Sequence, residues 1–179
     1  MISENRSLSI MINRGLSQRL ASWARVKSPW ITIFNSGACN ACDIEVIACL
    51  TPRFDVERFG ILVKGTPRHA DILVVTGPVT KKQASRLRRI WEQMPEPKYV
   101  IAMGACGAGG GVFRGLYHVM ESVSSVIPVD VYIGGCPPRP DEIISGVVTC
   151  LNLLKEDLDH GGKAWRTTPA SAQATEETV

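Results

Sequence analysis

The sequence predicts an α/β protein with a doubly wound, mainly parallel sheet, and two observations lead to this prediction. Short apolar runs of about four to eight residues are typical of strands that are buried on both faces. Longer amphipathic stretches separate these runs, and such alternation is typical of a parallel sheet covered by helices. We therefore expect a flavodoxin-like architecture.

Four apolar runs are the predicted strands, at residues 30–34, 71–75, 99–103 and 129–133. Two amphipathic stretches are the predicted helices. Residues 81–93 end just before Pro95, and residues 141–154 follow Pro140 and carry acidic residues in their first turn. Proline and acidic residues are both favoured where a helix begins, and a helix commonly stops before a proline.

The chain has 179 residues and is 45% hydrophobic. A chain of this length and composition can bury one core and is too short for two full-sized domains. We expect three parts. Residues 1–28 form an amphipathic N-terminal arm, residues 29–158 form the α/β domain, and residues 159–179 form a polar tail without an ordered fold.

The composition argues against several classes of protein. Six cysteines in an otherwise ordinary soluble composition do not reach the density of a disulfide scaffold. No run of about 18 apolar residues suggests a transmembrane helix, and basic residues interrupt the N-terminal apolar pieces, unlike in a secretory signal. A net charge of +3 with 6% aromatic residues gives no nucleic-acid signature. We therefore expect a cytoplasmic protein without a nucleic-acid partner.

Cysteines follow three of the four predicted strands. Each of these strands runs through small residues into Cys39, Cys106 or Cys136, and Cys42 lies three positions beyond Cys39. Because the loops at the carboxyl ends of parallel strands meet at one edge of the sheet, we expect these four cysteines to converge.

Four thiolates are typical ligands of an iron–sulfur cluster or of zinc. Structural zinc sites usually contain two closely spaced cysteine pairs, whereas this chain has one pair and two single cysteines in glycine-rich loops. The spacing favours one 4Fe-4S cluster bound by Cys39, Cys42, Cys106 and Cys136. A zinc-stabilised scaffold protein without a redox role is the alternative from another class.

Five stretches of the chain carry a resemblance to a known family. In the family's order they are SPWITIFNSGACNACDIE, LTPRFDVERFG, GTPRHADILVVTGPVT, AMGACGAGGGVFRG and PVDVYIGGCPPRPDEII. Over about residues 28–155 the chain resembles the small subunit of membrane-bound, energy-converting NiFe hydrogenases and the homologous subunit of respiratory complex I. The CNAC spacing resembles the hydrogenase branch, since complex I subunits have two adjacent cysteines there. Membrane-bound sulfur-reducing complexes are also similar.

The resemblance implies that the four cysteines hold the cluster nearest the active site of a partner, a NiFe-type large subunit. It implies an electron-transfer subunit of an ion-translocating hydrogenase complex, peripheral on the cytoplasmic side of the cell membrane. Further implied partners are a ferredoxin-like iron–sulfur subunit and membrane-arm subunits. The alternative is the equivalent subunit of a quinone-reducing complex I-like or a sulfur-reducing membrane complex.

Three other residues lie in helical stretches. Glu45, just beyond Cys42, is a candidate for proton transfer to or from the partner's catalytic site, and a helix-start acid favoured by the macrodipole is the alternative. Cys49 and Cys150 are interpreted as small buried hydrophobic residues.

Overall fold

Five parallel strands form the centre of the molecule. The computed structural model describes Leu20 and residues 23–159 of the chain. The strands are β1 (Trp30–Asn35), β2 (Leu62–Val63), β3 (Ile72–Thr76), β4 (Tyr99–Met103) and β5 (Val131–Ile133). Their order across the sheet is β2-β1-β3-β4-β5, and every neighbouring pair is parallel. This is the flavodoxin-like order, so the predicted fold is confirmed.

From residue 30 onwards the described residues contain four α-helices, of which the first three lie between strands and the last follows β5: α1 (Ala41–Cys49), α2 (Lys81–Gln93), α3 (Gly104–Gly109) and α4 (Pro140–Asp159). Short 3₁₀ turns lie at Val56–Phe59, Pro67–His69, Gly111–Phe113 and Val123–Ser125. The bounds of α2 agree with the prediction, whereas α4 continues five residues beyond the predicted end at residue 154. No helix among the described residues combines the length and the apolar character needed to span a membrane.

The predicted arm and tail lie mostly outside the described residues. Within the described part of the arm, residues 23–27 are helical. Arg25 in this segment forms an ion pair with Asp71, with 3.3 Å between Nε and Oδ1. That contact ties the end of the arm to the start of the sheet.

Two aspartates explain why β3 and β5 begin later than predicted. The Asp71 carboxylate accepts a hydrogen bond from the Trp30 N–H at 3.0 Å, and the Asp130 carboxylate accepts one from the Val100 N–H at 2.7 Å. In both cases a side chain, rather than a main-chain carbonyl, accepts from a backbone donor in the first two residues of the neighbouring strand. The regular strand therefore starts at Ile72 rather than at residue 71, and at Val131 rather than at residue 129.

Apolar side chains pack against both faces of the sheet. One cluster joins α1 and α4 to the strands through residues that include Val46, Ile143 and Ile101. The other cluster lies beneath α2 and includes Leu87 and Val100. Neighbouring strand residues enter opposite clusters because successive side chains of a strand point to opposite faces. Every residue of β3 and β4 is buried, which explains their uninterrupted apolar sequences.

Gly146 of α4 lies against the side chain of Ile133 at the end of β5. A Cβ at position 146 would lie 2.5 Å from both Cδ1 and Cγ1 of Ile133. We expect Gly146→Ala to lower the free energy of unfolding by about 1–2 kcal/mol, because overpacking outweighs the higher helix propensity of alanine. Urea unfolding measures this change. Adding Ile133→Val, which removes Cδ1, should restore part of the loss, and two simply additive losses would contradict the proposed clash.

Candidate metal centre

The carboxyl edge of the sheet carries a cleft surrounded by four cysteine side chains. Cys39 lies between β1 and α1, Cys42 in the first turn of α1, Cys106 in α3 and Cys136 just after β5. The cleft contains about 330 Å³ of empty space, part of it open to solvent. Its lining residues are Ala38, Cys39, Ala41, Cys42, Gly77, Pro78, Gly104, Ala105, Cys106, Phe113, Gly135, Cys136 and Pro137. The structure therefore brings together the four cysteines that the sequence singled out.

Cys106 lies in the short helix α3, whereas the sequence predicted a glycine-rich loop. Gly104 turns the chain out of β4 with a φ of +79°, a left-handed conformation that glycine adopts without steric cost. The N–H of Ala105 then donates to the carbonyl of Gly135 at 2.8 Å. This bond joins the helix that holds Cys106 to the loop that holds Cys136. Tertiary contacts of this kind stabilise a helix that glycine would disfavour.

The cysteine side chains differ in exposure and act on one another electrostatically. Cys42 is buried, Cys106 is half-buried, and Cys39 and Cys136 are exposed. Burial raises the pKa of the Cys42 thiol to about 11, with further contributions from the charges of Cys106, Cys39, Asp43 and Cys136. Burial, and then Cys136 and Cys39, raise the pKa of Cys106. Without a bound cation, thiolates at this edge would repel one another.

Glycine residues leave room around two of the sulfur atoms. A Cβ at Gly104 would lie 3.1 Å from the Sγ of Cys42, and one at Gly111 would lie 2.8 Å from the Sγ of Cys106. The backbone N–H of Val112 also donates to the Cys106 sulfur, which lowers the pKa of that thiol and partly offsets the effect of burial. Room for the ligand atoms and an N–H···S contact are features of iron–sulfur sites.

The four thiols surround a space rather than a single point. Among the described residues, no three cysteine, histidine, aspartate or glutamate side chains come close enough together to hold one metal ion. A 4Fe-4S cluster uses one cysteine for each of four irons, so its ligands are spread around a larger body. The donor set, the spacing and the cleft fit such a cluster, whose positively charged core would offset part of the negative charge of the thiolates.

Glu45 does not belong to the residues that line the cleft. Its charge acts on Cys49, one turn further along α1: burial, then Glu45 and then Asp141 raise the pKa of the Cys49 thiol to about 11. Cys49 in turn contacts the start of α4, where its Sγ lies 3.7 Å from the carbonyl oxygen of Pro140. Cys49 and Cys150 are 2% and 0% exposed, and both belong to the apolar core, as predicted.

Sequence reasoning missed the contributions of β3 to this site. Gly77 and Pro78, which follow β3, line the cleft although no cysteine marks this strand end. It also missed the hydrogen bonds that join Asp43 to Asn35 and Thr76, the last residues of β1 and β3. The only signal in the sequence was a polar residue at the end of each of two apolar strands, Asn35 and Thr76. A polar residue at a strand end does not reveal which side chain it bonds to.

Comparison with known proteins places this architecture among redox subunits. Residues 39–150 match the family described as NADH ubiquinone oxidoreductase, 20 Kd subunit. A probable membrane-bound hydrogenase subunit, mbhJ of Pyrococcus furiosus, is 52% identical over 141 residues, which are 78% of this chain and 84% of that protein. Formate hydrogenlyase subunit 7 of Escherichia coli is 46% identical over 136 residues, which are 76% of this chain and 53% of that protein.

Solved structures agree with the sequence matches. A chain of the archaeal membrane-bound sulfane sulfur reductase superposes with a TM-score of 0.68 at 39% identity, covering 77% of this chain and 76% of that one. An NAD+-reducing [NiFe]-hydrogenase chain has a TM-score of 0.53 at 18% identity, covering 78% of this chain and 96% of that one, and so shares the fold. The family match extends from the first to the last helix of the α/β core. This chain belongs to the family of the 20 Kd subunit of NADH ubiquinone oxidoreductase.

Proposed function

We propose that this chain binds one 4Fe-4S cluster and passes electrons through it to or from the nickel–iron active site of a partner large subunit. The proposed ligands are Cys39, Cys42, Cys106 and Cys136. Their convergence on one cleft is the observation that carries the proposal. The cluster would supply one-electron redox chemistry when bound, and the chain supplies thiolate ligands and their orientation.

An exposed apolar patch beside the cleft supports docking of a large partner. Val112, Phe113, Leu116 and Tyr117 are 83%, 37%, 51% and 81% exposed, and Phe113 also lines the cleft. Contiguous exposed apolar side chains of this kind mark interaction surfaces. We assign this patch to the NiFe-type large subunit, which would cover the exposed sulfurs of Cys39 and Cys136 and bring its active site near the cluster.

The hydrogenase assignment rests on the CNAC spacing and on the names of the similar hydrogenase subunits. In this proposal the chain is peripheral on the cytoplasmic side of the cell membrane, within an ion-translocating complex. A ferredoxin-like iron–sulfur subunit and membrane-arm subunits complete the partners. The chain would consist of the arm at residues 1–28, the cluster domain at residues 29–158 and the tail at residues 159–179.

A second candidate keeps the cluster and changes the substrate of the complex. It is favoured by the similarity to an NADH-quinone oxidoreductase subunit of Chlorobium limicola, which is 46% identical over 135 residues, and to the sulfane sulfur reductase chain. In that case this chain would serve a quinone-reducing or sulfur-reducing complex. A large subunit with two C-x-x-C nickel-binding pairs supports the hydrogenase, and a large subunit without them supports the second candidate.

Anaerobic purification of the tagged, full-length chain with its partners tests the proposed function. We expect about four irons per chain, a 4Fe-4S spectrum, and nickel in a co-purifying large subunit. A colourless chain with one zinc and no iron would instead identify a zinc-stabilised scaffold. A cluster without nickel would exclude the hydrogenase and leave the electron-transfer role.

Replacement of Glu45 tests a role in proton transfer. We expect Glu45→Gln to leave the cluster spectrum intact and to lower turnover of the assembled complex by about 100-fold, the lower range for loss of a proton-transfer group. Glu57→Gln is the matched control, because Glu57 is an exposed acid in the 3₁₀ turn Val56–Phe59. Equal turnover in the two variants would leave Glu45 as a helix-start acid only.

A further inference from the structure

Asn35, the last residue of β1, holds the backbone just before the first proposed ligand. Its side-chain carbonyl oxygen accepts hydrogen bonds from the N–H groups of Gly37 at 3.0 Å and Ala38 at 2.8 Å. Two backbone donors next to Cys39 are therefore satisfied by one side chain. A loop fixed in this way loses less conformational entropy when its cysteine binds a cluster.

The same side chain also contacts the loop between and beyond the two cysteines. The Asn35 amide nitrogen donates to Asn40 Oδ1 at 3.1 Å and to Asp43 Oδ2 at 2.6 Å. Asn40 lies between Cys39 and Cys42 and has a φ of +69°, a left-handed conformation that costs free energy in a residue other than glycine. Contacts from Asn35 on both sides hold the loop in this conformation.

Asp43 links the loop to the neighbouring strand. Its Oδ1 accepts a hydrogen bond from Thr76 Oγ1 at 2.7 Å, and Thr76, the last residue of β3, is 0% exposed. Both carboxylate oxygens thus have donors, one from each of two adjacent strand ends. The carboxylate directly follows Cys42 in sequence, so these two hydrogen bonds hold it beside a proposed ligand. It is a negative charge in a fixed place.

We propose that Asn35, Asp43 and Thr76 are positioning residues that pre-organise the Cys39–Cys42 loop for the cluster and keep a fixed negative charge beside Cys42. This inference rests on the proposed function and deepens it. Reduction would add an electron to a bound cluster, and a nearby negative charge would oppose that addition, since net charge is one of the factors that set cluster potentials. The network would therefore keep the potential low.

A redox titration of the cluster in the full-length chain or its complex tests the electrostatic part. We expect Asp43→Asn to retain the iron content of the wild type and to shift the midpoint potential in the positive direction, followed by the EPR signal of the reduced cluster. Glu92→Gln, which removes an equal charge from the exposed end of α2, should leave the potential unchanged. The same potential in both variants would overturn this part of the proposal.

Variants of Thr76 test its hydrogen bond to Asp43 separately from the charge of Asp43. Thr76→Val removes the hydroxyl donor and retains a similar shape, whereas Thr76→Ser keeps the donor. We expect Thr76→Val to broaden the EPR signal of the reduced cluster and to shift the potential, and Thr76→Ser to restore both. A defect of equal size in the two variants would assign Thr76 to packing alone and contradict its positioning role.

Hydrogen exchange of the full-length chain before cluster insertion tests the loop without reference to the cluster. We expect Asn35→Ala to accelerate exchange at Gly37 and Ala38 by about five- to tenfold, as for loss of one hydrogen bond. Exchange at Gly60, whose N–H donates to the carbonyl of Glu57 outside this loop, should stay unchanged in the same variant. Unchanged protection in Asn35→Ala would overturn the pre-organisation.

The two proposals fail in different ways. A wild-type chain that takes up no cluster during reconstitution, yet shows an Asn35-dependent protection of Gly37 and Ala38, would contradict the proposed function while supporting the ordering of the loop by Asn35. A wild-type chain that binds the cluster, with Asn35→Ala, Asp43→Asn and Thr76→Val all unaltered in exchange and potential, would support the proposed function and contradict the positioning role.

Discussion

Cys106→Ala is expected to abolish the 4Fe-4S spectrum and to lower turnover of the assembled complex by more than about 100-fold. Loss of an outer-shell partner alone typically costs about 10–100-fold in metal affinity or activity, and loss of a ligand should cost more. Cys106 is half-buried in α3 and its sulfur accepts the Val112 N–H, so alanine removes a sulfur atom and leaves this N–H without its acceptor. Iron analysis and the visible spectrum of the anaerobically purified protein measure the loss.

Cys150→Ala is the matched control for this experiment. Cys150 lies on the buried face of α4 and is 0% exposed, so the same substitution removes the same atoms from a buried site. We expect the cluster and the turnover to survive, with a loss of unfolding free energy of about 1–2 kcal/mol from the small cavity. Full iron content in Cys106→Ala, or loss of the cluster in both variants, would contradict the proposed ligand set.

The convergence of the cysteines could be predicted because it follows from topology. Parallel strands place their carboxyl ends at one edge, and the runs that end near Cys39, Cys106 and Cys136 read as buried strands. The continuous apolar sequences of β3 and β4 result from burial on both faces, so their positions were also readable. A topological rule needs only the order and type of the elements, both of which leave a pattern in the sequence.

The elements that were missed leave no such pattern. β2 has only two residues, Leu62 and Val63, each 38% exposed, which is too short for any periodicity. Helix α3 is half glycine and forms because its contacts compensate for poor propensity, among them the bond from Ala105 to Gly135. The bonds of Asp43 depend on which strand lies beside β1, so they became visible only once the register of β1 and β3 was known.

Gly77→Ala is expected to destabilise the fold by more than about 3 kcal/mol and to impair cluster binding at the same time. Gly77 follows β3 with a φ of +78°, which costs a residue with a Cβ about 1–2 kcal/mol. The added Cβ would also lie 2.4 Å from Cα and 2.5 Å from N of Ala38, atoms of backbone that cannot rotate away. The clash is relieved only if the backbone of Ala38 moves, and Cys39, the first proposed ligand, then moves with it.

Urea unfolding and iron content after reconstitution measure the two effects of Gly77→Ala separately. Gly65→Ala is the control, because Gly65 lies in an exposed segment and its added Cβ would have no neighbour within 4 Å. We expect that control to be neutral or slightly more stable, since alanine restricts the unfolded chain. If Gly77→Ala were as stable as Gly65→Ala, the close approach of the β3 loop to Ala38 would be wrong. If it were unstable yet bound a full cluster, the β3 loop would support the fold without fixing the position of Cys39.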